Sequence, residues 1–214
     1  MADALVVDTT AGPGWIELTR PVRPTALLAL THGAGGGVGT ADLLAIRDAV
    51  TAAGVAVALI TQPYRVAGRG APPRPDKQDP LWLELMTALR SRRGLGAVPL
   101  IVGGRSNGAR LACRTATGAG AVAVVALAYP LHPPGKPDVS RLDELELPTV
   151  PVLLVQGDRD AFGMPPEGPG RQRVVIAGAD HSLKKGVPAV AEAVLSFVTA
   201  GRMLMPQDDH REGR

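Results

Sequence analysis

The chain has 214 residues, of which 45% are hydrophobic, 20% charged and only 3% aromatic. This length suits one domain with a substantial core and is short for two. The net charge is only +3 and the basic residues are scattered, which argues against a nucleic-acid partner, and the single cysteine, Cys113, excludes an internal disulfide.

At the amino terminus, the residues after Met1 show no basic region followed by a long apolar core, and no later apolar run approaches membrane-spanning length. We therefore expect a cytoplasmic protein with no membrane partner. The first elements are short apolar runs at 4–7 and 15–18, separated by turn residues, which predict the two strands of a hairpin.

Residues 26–31 form a longer and almost wholly apolar run, which is typical of an interior strand covered on both faces. The run stops at His32-Gly-Ala-Gly-Gly-Gly37. A helix can then begin after Thr40 and end at Gly54, and another apolar run follows at 55–60. This succession of strand, loop, helix and strand predicts the right-handed crossover of a parallel sheet.

The composition changes over residues 62–79, where prolines alternate with basic residues such as Arg65 and Arg69. We predict a long loop over the carboxyl edge of the sheet, followed by a helix that Asp79 caps and that has Pro80 in its first turn. The arginines can be solvated charges at the rim of a site. Alternatively, Arg69 turns inward and binds a carboxylate or phosphate of the substrate through its planar guanidinium.

The apolar run that begins at Pro99 stops at the sequence Gly104-x-Ser106-x-Gly108. This pattern is typical of a nucleophile elbow, a strand-to-helix turn so tight that only glycine fits at both flanking positions. Such a turn exposes the Ser106 hydroxyl and directs the backbone N–H of Asn107 at a carbonyl group under attack. The pattern also occurs by chance in loops, so its meaning depends on the rest of the chain.

Further apolar runs at 121–128, 149–155 and 173–176 predict the later strands, and a last helix has valines on its inward face. The alternation of strands and helices predicts an α/β fold with a mostly parallel central sheet flanked by helices. From about residue 201 the chain is polar and charged, so we predict one domain over 1–200 and a polar tail over 201–214.

Three of the predicted strands end shortly before Ser106, Asp160 and His181, in that chain order. Because the carboxyl ends of parallel strands lie on one edge of a sheet, residues just beyond them can converge although they are far apart in sequence. A serine nucleophile needs a base to remove its proton and a carboxylate to orient that base. Asp158 competes with Asp160 for the acid, and is otherwise typical of a residue that caps a loop.

The base has to be chosen among four histidines. Only His181 comes after the acid in the chain, follows a predicted strand and precedes a predicted helix. His132 lies in a proline-rich turn, where it either lines the substrate pocket or stabilises the turn. His210 lies in the predicted tail.

These features make the chain similar to the α/β-hydrolases over nearly its whole length, from about residue 15 to 197. The matching motifs are Gly104-x-Ser106-x-Gly108, His32-Gly-Ala-Gly-Gly-Gly37, Gly157-Asp-Arg-Asp160 and Ala179-Asp-His181. The chain most resembles the small lidless dienelactone-hydrolase-like proteins, and among them those similar to the hydrolase-like domain of testis-expressed and chromatin-complex proteins. The run Tyr129-Pro-Leu-His-Pro-Pro-Gly-Lys-Pro137 supports this subgroup.

The resemblance implies an α/β-hydrolase fold without a lid domain. It also implies that Asp160 rather than Asp158 is the acid, and that His32 is structural, its ring hydrogen-bonded to the loop backbone. Dienelactone hydrolases use a cysteine nucleophile, whereas position 106 is serine, which disfavours a dienelactone substrate. The segment after Tyr129 is short and interrupted by prolines, which also leaves no room for a multi-helix lid.

The glycine-rich loop at 32–37 has a rival interpretation as a cradle for a dinucleotide phosphate. The spacing excludes it, because the third glycine of that fingerprint would fall on Val38 or Thr40. We predict instead that the loop contributes an oxyanion-binding N–H, from Ala34 or a glycine beside it. No cluster of histidine, cysteine and carboxylate has the spacing of metal ligands, so we expect no metal and no cofactor.

Two classes of function remain. The first is a serine hydrolase that acts on a small carboxylic ester, thioester or related acyl compound, with Ser106, His181 and Asp160 as its triad and the N–H groups of Asn107 and Ala34 binding the oxyanion. The second is a hydrolase-like scaffold that binds a ligand or partner without turnover. The sequence does not indicate an oligomeric state.

Overall fold

The computed structural model describes residues 2–203 of the chain. The predicted polar tail at 201–214, with His210, lies outside these residues except for its first three, which continue the last helix. The domain boundary at residue 200 therefore stays a prediction.

One eight-stranded sheet forms the centre of the described chain. Its strands, in chain order, are β1 (Ala2–Thr9), β2 (Gly12–Thr19), β3 (Leu27–Thr31), β4 (Ala56–Thr61), β5 (Leu100–Arg105), β6 (Ala123–Leu127), β7 (Val152–Gly157) and β8 (Arg171–Ile176). Their order across the sheet is β1-β2-β4-β3-β5-β6-β7-β8. The first two strands form the predicted antiparallel hairpin, and β2 also pairs antiparallel with β4. The six strands β3 to β8 run parallel to one another.

Helices cover both faces of this sheet. In residues 2–203 they are α1 (Ala41–Ala52), α2 (Pro63–Val66), α3 (Pro75–Arg90), α4 (Asn107–Thr115), α5 (Leu142–Leu145) and α6 (Val187–Met203). α1 and α6 pack against each other on one face, and α3 and α4 cover the other. The predicted α/β architecture, a mostly parallel sheet flanked by helices, is confirmed.

The central strand β3 shows why its sequence is a continuous apolar run. All five of its residues are buried. Leu27 and Ala29 belong to the cluster under α3 and α4, whereas Leu28 and Leu30 belong to the cluster under α1 and α6. Successive side chains of a strand point to opposite faces, so a strand that is covered on both faces is apolar along its length, and the one polar residue, Thr31 at its end, donates to the carbonyl of Ile60.

The segment at 62–79 differs from the prediction of one long loop. Its first residues form α2, and α3 begins at Pro75 rather than after Asp79. Pro80 therefore lies inside α3, at an exposed position where the helix carbonyl that loses its N–H partner can bind water.

Tertiary contacts explain why Asp79 does not cap the helix. Its carboxylate forms an ion pair with Arg114 of α4, with an N···O distance of 2.7 Å. The neighbouring side chain of Gln78 is buried and donates from Nε2 to Oε1 of Gln62 at 2.8 Å. These contacts need residues 78 and 79 to face the sheet and α4, which the earlier helix start at Pro75 permits.

The apolar cluster under α3 and α4 contains Trp82, one of the largest fully buried side chains. Its indole Nε1 is buried and has no hydrogen-bond partner within residues 2–203. Cys113 lies in the same cluster, and burial raises the pKa of its thiol to about 12, as expected for a small filler of the core.

Replacing Trp82 should test how much of the stability this cluster supplies. Trp82→Ala should lower the free energy of unfolding by about 3–5 kcal/mol, because it removes a large apolar side chain and leaves a cavity. Trp82→Phe should cost clearly less, since it keeps an aromatic ring and removes an N–H that has no partner in the described part of the chain. Denaturation in urea, followed by circular dichroism, measures both values. Equal losses in the two variants would contradict this account.

Candidate active site

Ser106 lies in the strand-to-helix turn predicted at 104–108, between the end of β5 and the start of α4. Its φ of 54° and ψ of −113° are strained for a residue with a side chain. A Cβ on Gly104 would lie 2.7 Å from the backbone carbon of Gly108, and one on Gly108 would lie 2.8 Å from the carbonyl oxygen of Thr31. The turn therefore closes only because both flanking residues are glycine.

Ser106, His181 and Asp160 are brought together at the carboxyl edge of the sheet. Ser106 Oγ lies 2.9 Å from His181 Nε2, and His181 Nδ1 lies 2.8 Å from Asp160 Oδ2. A carboxylate can only accept, so Nδ1 carries the imidazole proton and Nε2 is free to accept from the serine hydroxyl. The Asp160 side chain is fully buried, whereas 23% of the His181 side chain is exposed.

The acid is held in the loop that follows β7. Asp160 Oδ1 accepts from the backbone N–H of Phe162 at 2.9 Å, and Oδ2 accepts from Gln156 Nε2 at 2.8 Å as well as from His181. Asp158 is used differently, because its carboxylate accepts from the N–H of Gly178 at 2.6 Å. Asp158 thus caps a loop, as predicted, and Asp160 is the carboxylate that faces the imidazole.

The imidazole of His181 has two further supports that the sequence did not reveal. The ring of Phe162 stacks on it, with the ring centroids 4.0 Å apart. The guanidinium of Arg105, the residue before Ser106, donates to the backbone carbonyl of His181 and pairs with the buried Asp42 of α1 at 3.0 Å. These contacts restrict the movement of the loop that carries His181.

The glycine-rich loop is oriented by His32, which is fully buried. His32 Nδ1 donates to the carbonyl oxygen of Gly33 at 2.8 Å, and Nε2 accepts from the backbone N–H of Gln62 at 3.1 Å. Burial, the largest influence, lowers the pKa of His32 below its ordinary value of 6.5, so the ring is neutral. The structural role that the family resemblance implied for His32 agrees with these contacts.

The same bond sets the direction of the Ala34 N–H. The carbonyl of Gly33 and the N–H of Ala34 belong to one planar peptide, so fixing the carbonyl fixes the N–H. Gly33 is close to the serine, since a Cβ on Gly33 would lie 3.3 Å from the Ser106 Cβ. Gly33, the residue before Ala34, therefore lies beside Ser106, and Asn107 follows Ser106 directly in the chain; oxyanion binding by Ala34 and Asn107 stays a prediction.

The segment after β4 holds the glycine-rich loop from outside. The Tyr64 hydroxyl donates to the carbonyl of Ala34 at 2.8 Å, and Arg65 Nε donates to that of Gly36 at 3.0 Å. Arg65 also donates from Nη1 to the carbonyl of Arg69 at 2.7 Å. Arg69 itself is exposed, as a charge at the rim of the site would be, and the alternative that it contacts a substrate anion stays a prediction.

His132 is half-buried beside the acid loop. Its backbone N–H donates to the carbonyl of Phe162 at 3.1 Å, and its ring Nδ1 bonds to the carbonyl of Pro133 at 2.9 Å. A Cβ on Gly163 would lie 2.6 Å from His132 Nε2, so the ring packs against that loop. These contacts suit the turn-stabilising alternative for His132, and a substrate contact stays a prediction.

No group of three or more histidine, cysteine or carboxylate side chains in residues 2–203 could hold a metal ion. None of the helices in that part of the chain combines the length and apolar character that crossing a membrane requires.

The chain was then compared with known proteins. A family model described as an alpha/beta hydrolase domain matches residues 24–191. No curated protein sequence matches the chain. A serine hydrolase without a lid from Xanthomonas campestris has a similar structure, with a TM-score of 0.76 at 17% identity, and the match covers 96% of this chain and 97% of that chain.

Two other solved structures are similar to the same extent. Est1E from Butyrivibrio proteoclasticus has a TM-score of 0.76 at 17% identity over 94% of this chain and 99% of its own. A dienelactone hydrolase from Anabaena variabilis has a TM-score of 0.76 at 19% identity over 94% of this chain and 97% of its own. At such identities the likeness establishes the fold.

The buried, neutral His32 should make the stability of the fold depend on pH. Well above pH 6.5 the ring is neutral in both the folded and the unfolded chain, so the stability that His32 contributes is fully present. As the pH falls below 6.5, the unfolded chain takes up a proton that the folded chain resists, so the free energy of unfolding decreases. His32→Asn can keep a donor for the carbonyl of Gly33 but cannot titrate.

Urea denaturation of wild type and His32→Asn between pH 8 and pH 5 measures this effect. The stability advantage of wild type over the variant should shrink towards acid pH, because the other titrating groups are common to both proteins. A difference that stays constant across the range would mean that His32 does not titrate on unfolding.

Proposed function

The chain belongs to the α/β-hydrolase family, and on that basis we propose that it is a serine hydrolase acting on a small carboxylic ester, thioester or related acyl compound. The observation that carries the proposal is the unbroken hydrogen-bonded series from Ser106 Oγ through His181 to Asp160 Oδ2, with distances of 2.9 and 2.8 Å. An isolated surface serine has no such partner. The arrangement has the geometry that activates a hydroxyl group for attack.

In the proposed reaction, Ser106 Oγ attacks the acyl carbonyl carbon while His181 Nε2 removes the hydroxyl proton. Asp160 holds the imidazole and stabilises the imidazolium that forms. The C–O or C–S bond then breaks, His181 gives its proton to the leaving group, and the acyl group stays on Ser106. Water, deprotonated by His181, attacks the acyl carbon, the bond from that carbon to Ser106 Oγ breaks, and His181 returns the proton to Ser106 Oγ as the carboxylic acid leaves.

The developing oxyanion would bind the backbone N–H groups of Asn107 and Ala34. Asn107 is the first residue of α4, and the first N–H groups of a helix have no partner within the helix and lie at its positive end. The Ala34 N–H is aligned by the bond between His32 and Gly33. Donors fixed before the reaction stabilise a transition-state charge without reorganising.

The preference for a small substrate is inferred from what lies between β6 and β7. In the described chain this segment contains only the four-residue α5, and the similar Xanthomonas structure is described as lacking a lid. Est1E has been solved with ferulic acid bound, a small aromatic acid. Both observations support an open site that accepts a small acyl group, and Arg69 at the exposed rim is the candidate contact for an anionic one.

The nucleophile can be tested with an active-site probe. A fluorophosphonate should label wild type, and Ser106→Ala should lose both the label and the ester hydrolysis, with activity falling on the order of 10⁴-fold or more. Ser196→Ala, which removes an exposed hydroxyl on α6, is the matched control and should behave as wild type. Retained hydrolysis in Ser106→Ala would end the assignment. A wild type that neither labels nor hydrolyses would favour a binding scaffold.

The openness of the site predicts a dependence on acyl chain length. A site that buried each added methylene would gain about 0.8 kcal/mol, or about fourfold in kcat/KM, per carbon. We expect kcat/KM to stop rising after short acyl chains, because the open cleft leaves further carbons in water. Esters of graded length from two to twelve carbons measure this. A steady rise through twelve carbons would exclude an open site.

A further inference from the structure

Gln156 lies near the end of β7, and its side chain is fully buried where the strand leaves the sheet for the acid loop. Val152 and Leu154 of the same strand belong to the apolar cluster under α3 and α4. The alternation along the strand sets Gln156 on that same face. An amide in such surroundings loses its water, so it is costly unless its polar atoms are bonded.

The amide of Gln156 faces three hydrogen-bond acceptors. Its Nε2 lies 2.8 Å from Asp160 Oδ2, 2.9 Å from the carbonyl oxygen of Gly163 and 3.3 Å from that of Tyr129. Carboxylate and carbonyl oxygens only accept, so the NH₂ group must face them. This orientation leaves Oε1 buried without a partner in the described chain. Because the oxygen is left without a partner, the N–H groups are the part of this side chain that forms its useful contacts.

These N–H groups complete the bonding of the acid. The backbone N–H of Phe162 binds Asp160 Oδ1, while Gln156 and His181 both bind Oδ2. A carboxylate can rotate about its Cβ–Cγ bond, and donors on both oxygens prevent that rotation. Gln156 also binds the carbonyl of Gly163, so it holds the turn on both sides of Phe162, whose ring stacks on His181.

We propose that Gln156 is a positioning residue of the triad, which fixes the plane of the Asp160 carboxylate and the turn that carries Phe162. The proposal rests on the proposed serine-hydrolase function. Gln156 touches neither the substrate nor Ser106 in this role and acts through Asp160. Its contribution should therefore appear in kcat rather than in KM.

The principal test is Gln156→Met, which keeps the length of the side chain and removes both N–H groups. We expect kcat to fall about tenfold to a hundredfold while KM stays within about twofold, because a misplacement of about 1 Å in the catalytic groups costs rates of this order. Thr115→Val is the matched control, since Thr115 is a buried polar residue of α4 whose hydroxyl donates to the carbonyl of Leu111, away from the site. It should lose stability and keep kcat. A kcat that falls equally in both variants would reduce Gln156 to a structural residue.

A second variant, Gln156→Glu, keeps the shape and polarity but sets a second carboxylate against Asp160. Two facing carboxylates repel each other until one of them takes up a proton, so the variant is impaired at neutral pH and regains a donor as the pH falls. The ratio of its kcat to that of wild type should rise between pH 8 and pH 6. A ratio that is constant with pH would overturn the proposal, including in the event that Gln156→Met does not fold.

A readout without substrate separates this proposal from the proposed function. The His181 Nδ1 proton, bonded to Asp160, should give a downfield proton NMR signal that shifts or broadens in Gln156→Met and not in Thr115→Val. If wild type proves inactive while this signal responds, the hydrolase function fails and the positioning of Asp160 by Gln156 stands. If wild type is active and neither the signal nor kcat responds, the positioning role is excluded.

Discussion

The site depends on one contact in which three backbone segments approach more closely than side chains would permit. At the end of β5, a Cβ on Gly104 would lie 2.7 Å from Gly108 of α4 and 2.8 Å from the carbonyl of Thr31 at the end of β3. Because glycine occupies both positions, α4 begins directly against β3. The same contact brings Ser106 beside the glycine-rich loop, so the predicted nucleophile and a predicted oxyanion donor are positioned by a single packing arrangement.

The strain at Ser106 is sustained by bonds around the turn. Its N–H donates to the carbonyl of Leu127 in β6 at 2.9 Å, and its own carbonyl accepts from Ala109 and Arg110 in the first turn of α4. A residue in such a conformation costs on the order of 1–3 kcal/mol. The cost is met by the apolar sheet beneath, where β3 is buried on both faces. A strained residue can therefore be kept at the sheet edge without loss of the fold.

Much of this could be predicted from sequence, because the signals are local or follow from strand ends. The apolar run of β3 follows from burial on both faces, the glycines around Ser106 follow from sterics, and the convergence of Ser106, Asp160 and His181 follows from a parallel sheet. The start of α3 could not be predicted, because Pro75 and Pro80 both suit a first turn and only the contacts with Arg114 decide. Gln156 was not predicted, because a single polar residue after an apolar run is also what the end of any strand shows.

In this chain, buried polar residues at the ends of two parallel strands hold the loops that carry the candidate site residues. His32 follows β3 and orients the peptide of Ala34, and Gln156 at the end of β7 binds Asp160 and Gly163. An apolar residue at either position would pack as well and would avoid the cost of desolvating an imidazole or an amide. Gln156 even leaves its Oε1 without a partner among residues 2–203. Burying these side chains lowers the stability of the fold. They fix the geometry of loops that would otherwise adopt several conformations. At this edge of the sheet, stability is therefore lower in exchange for a defined loop geometry.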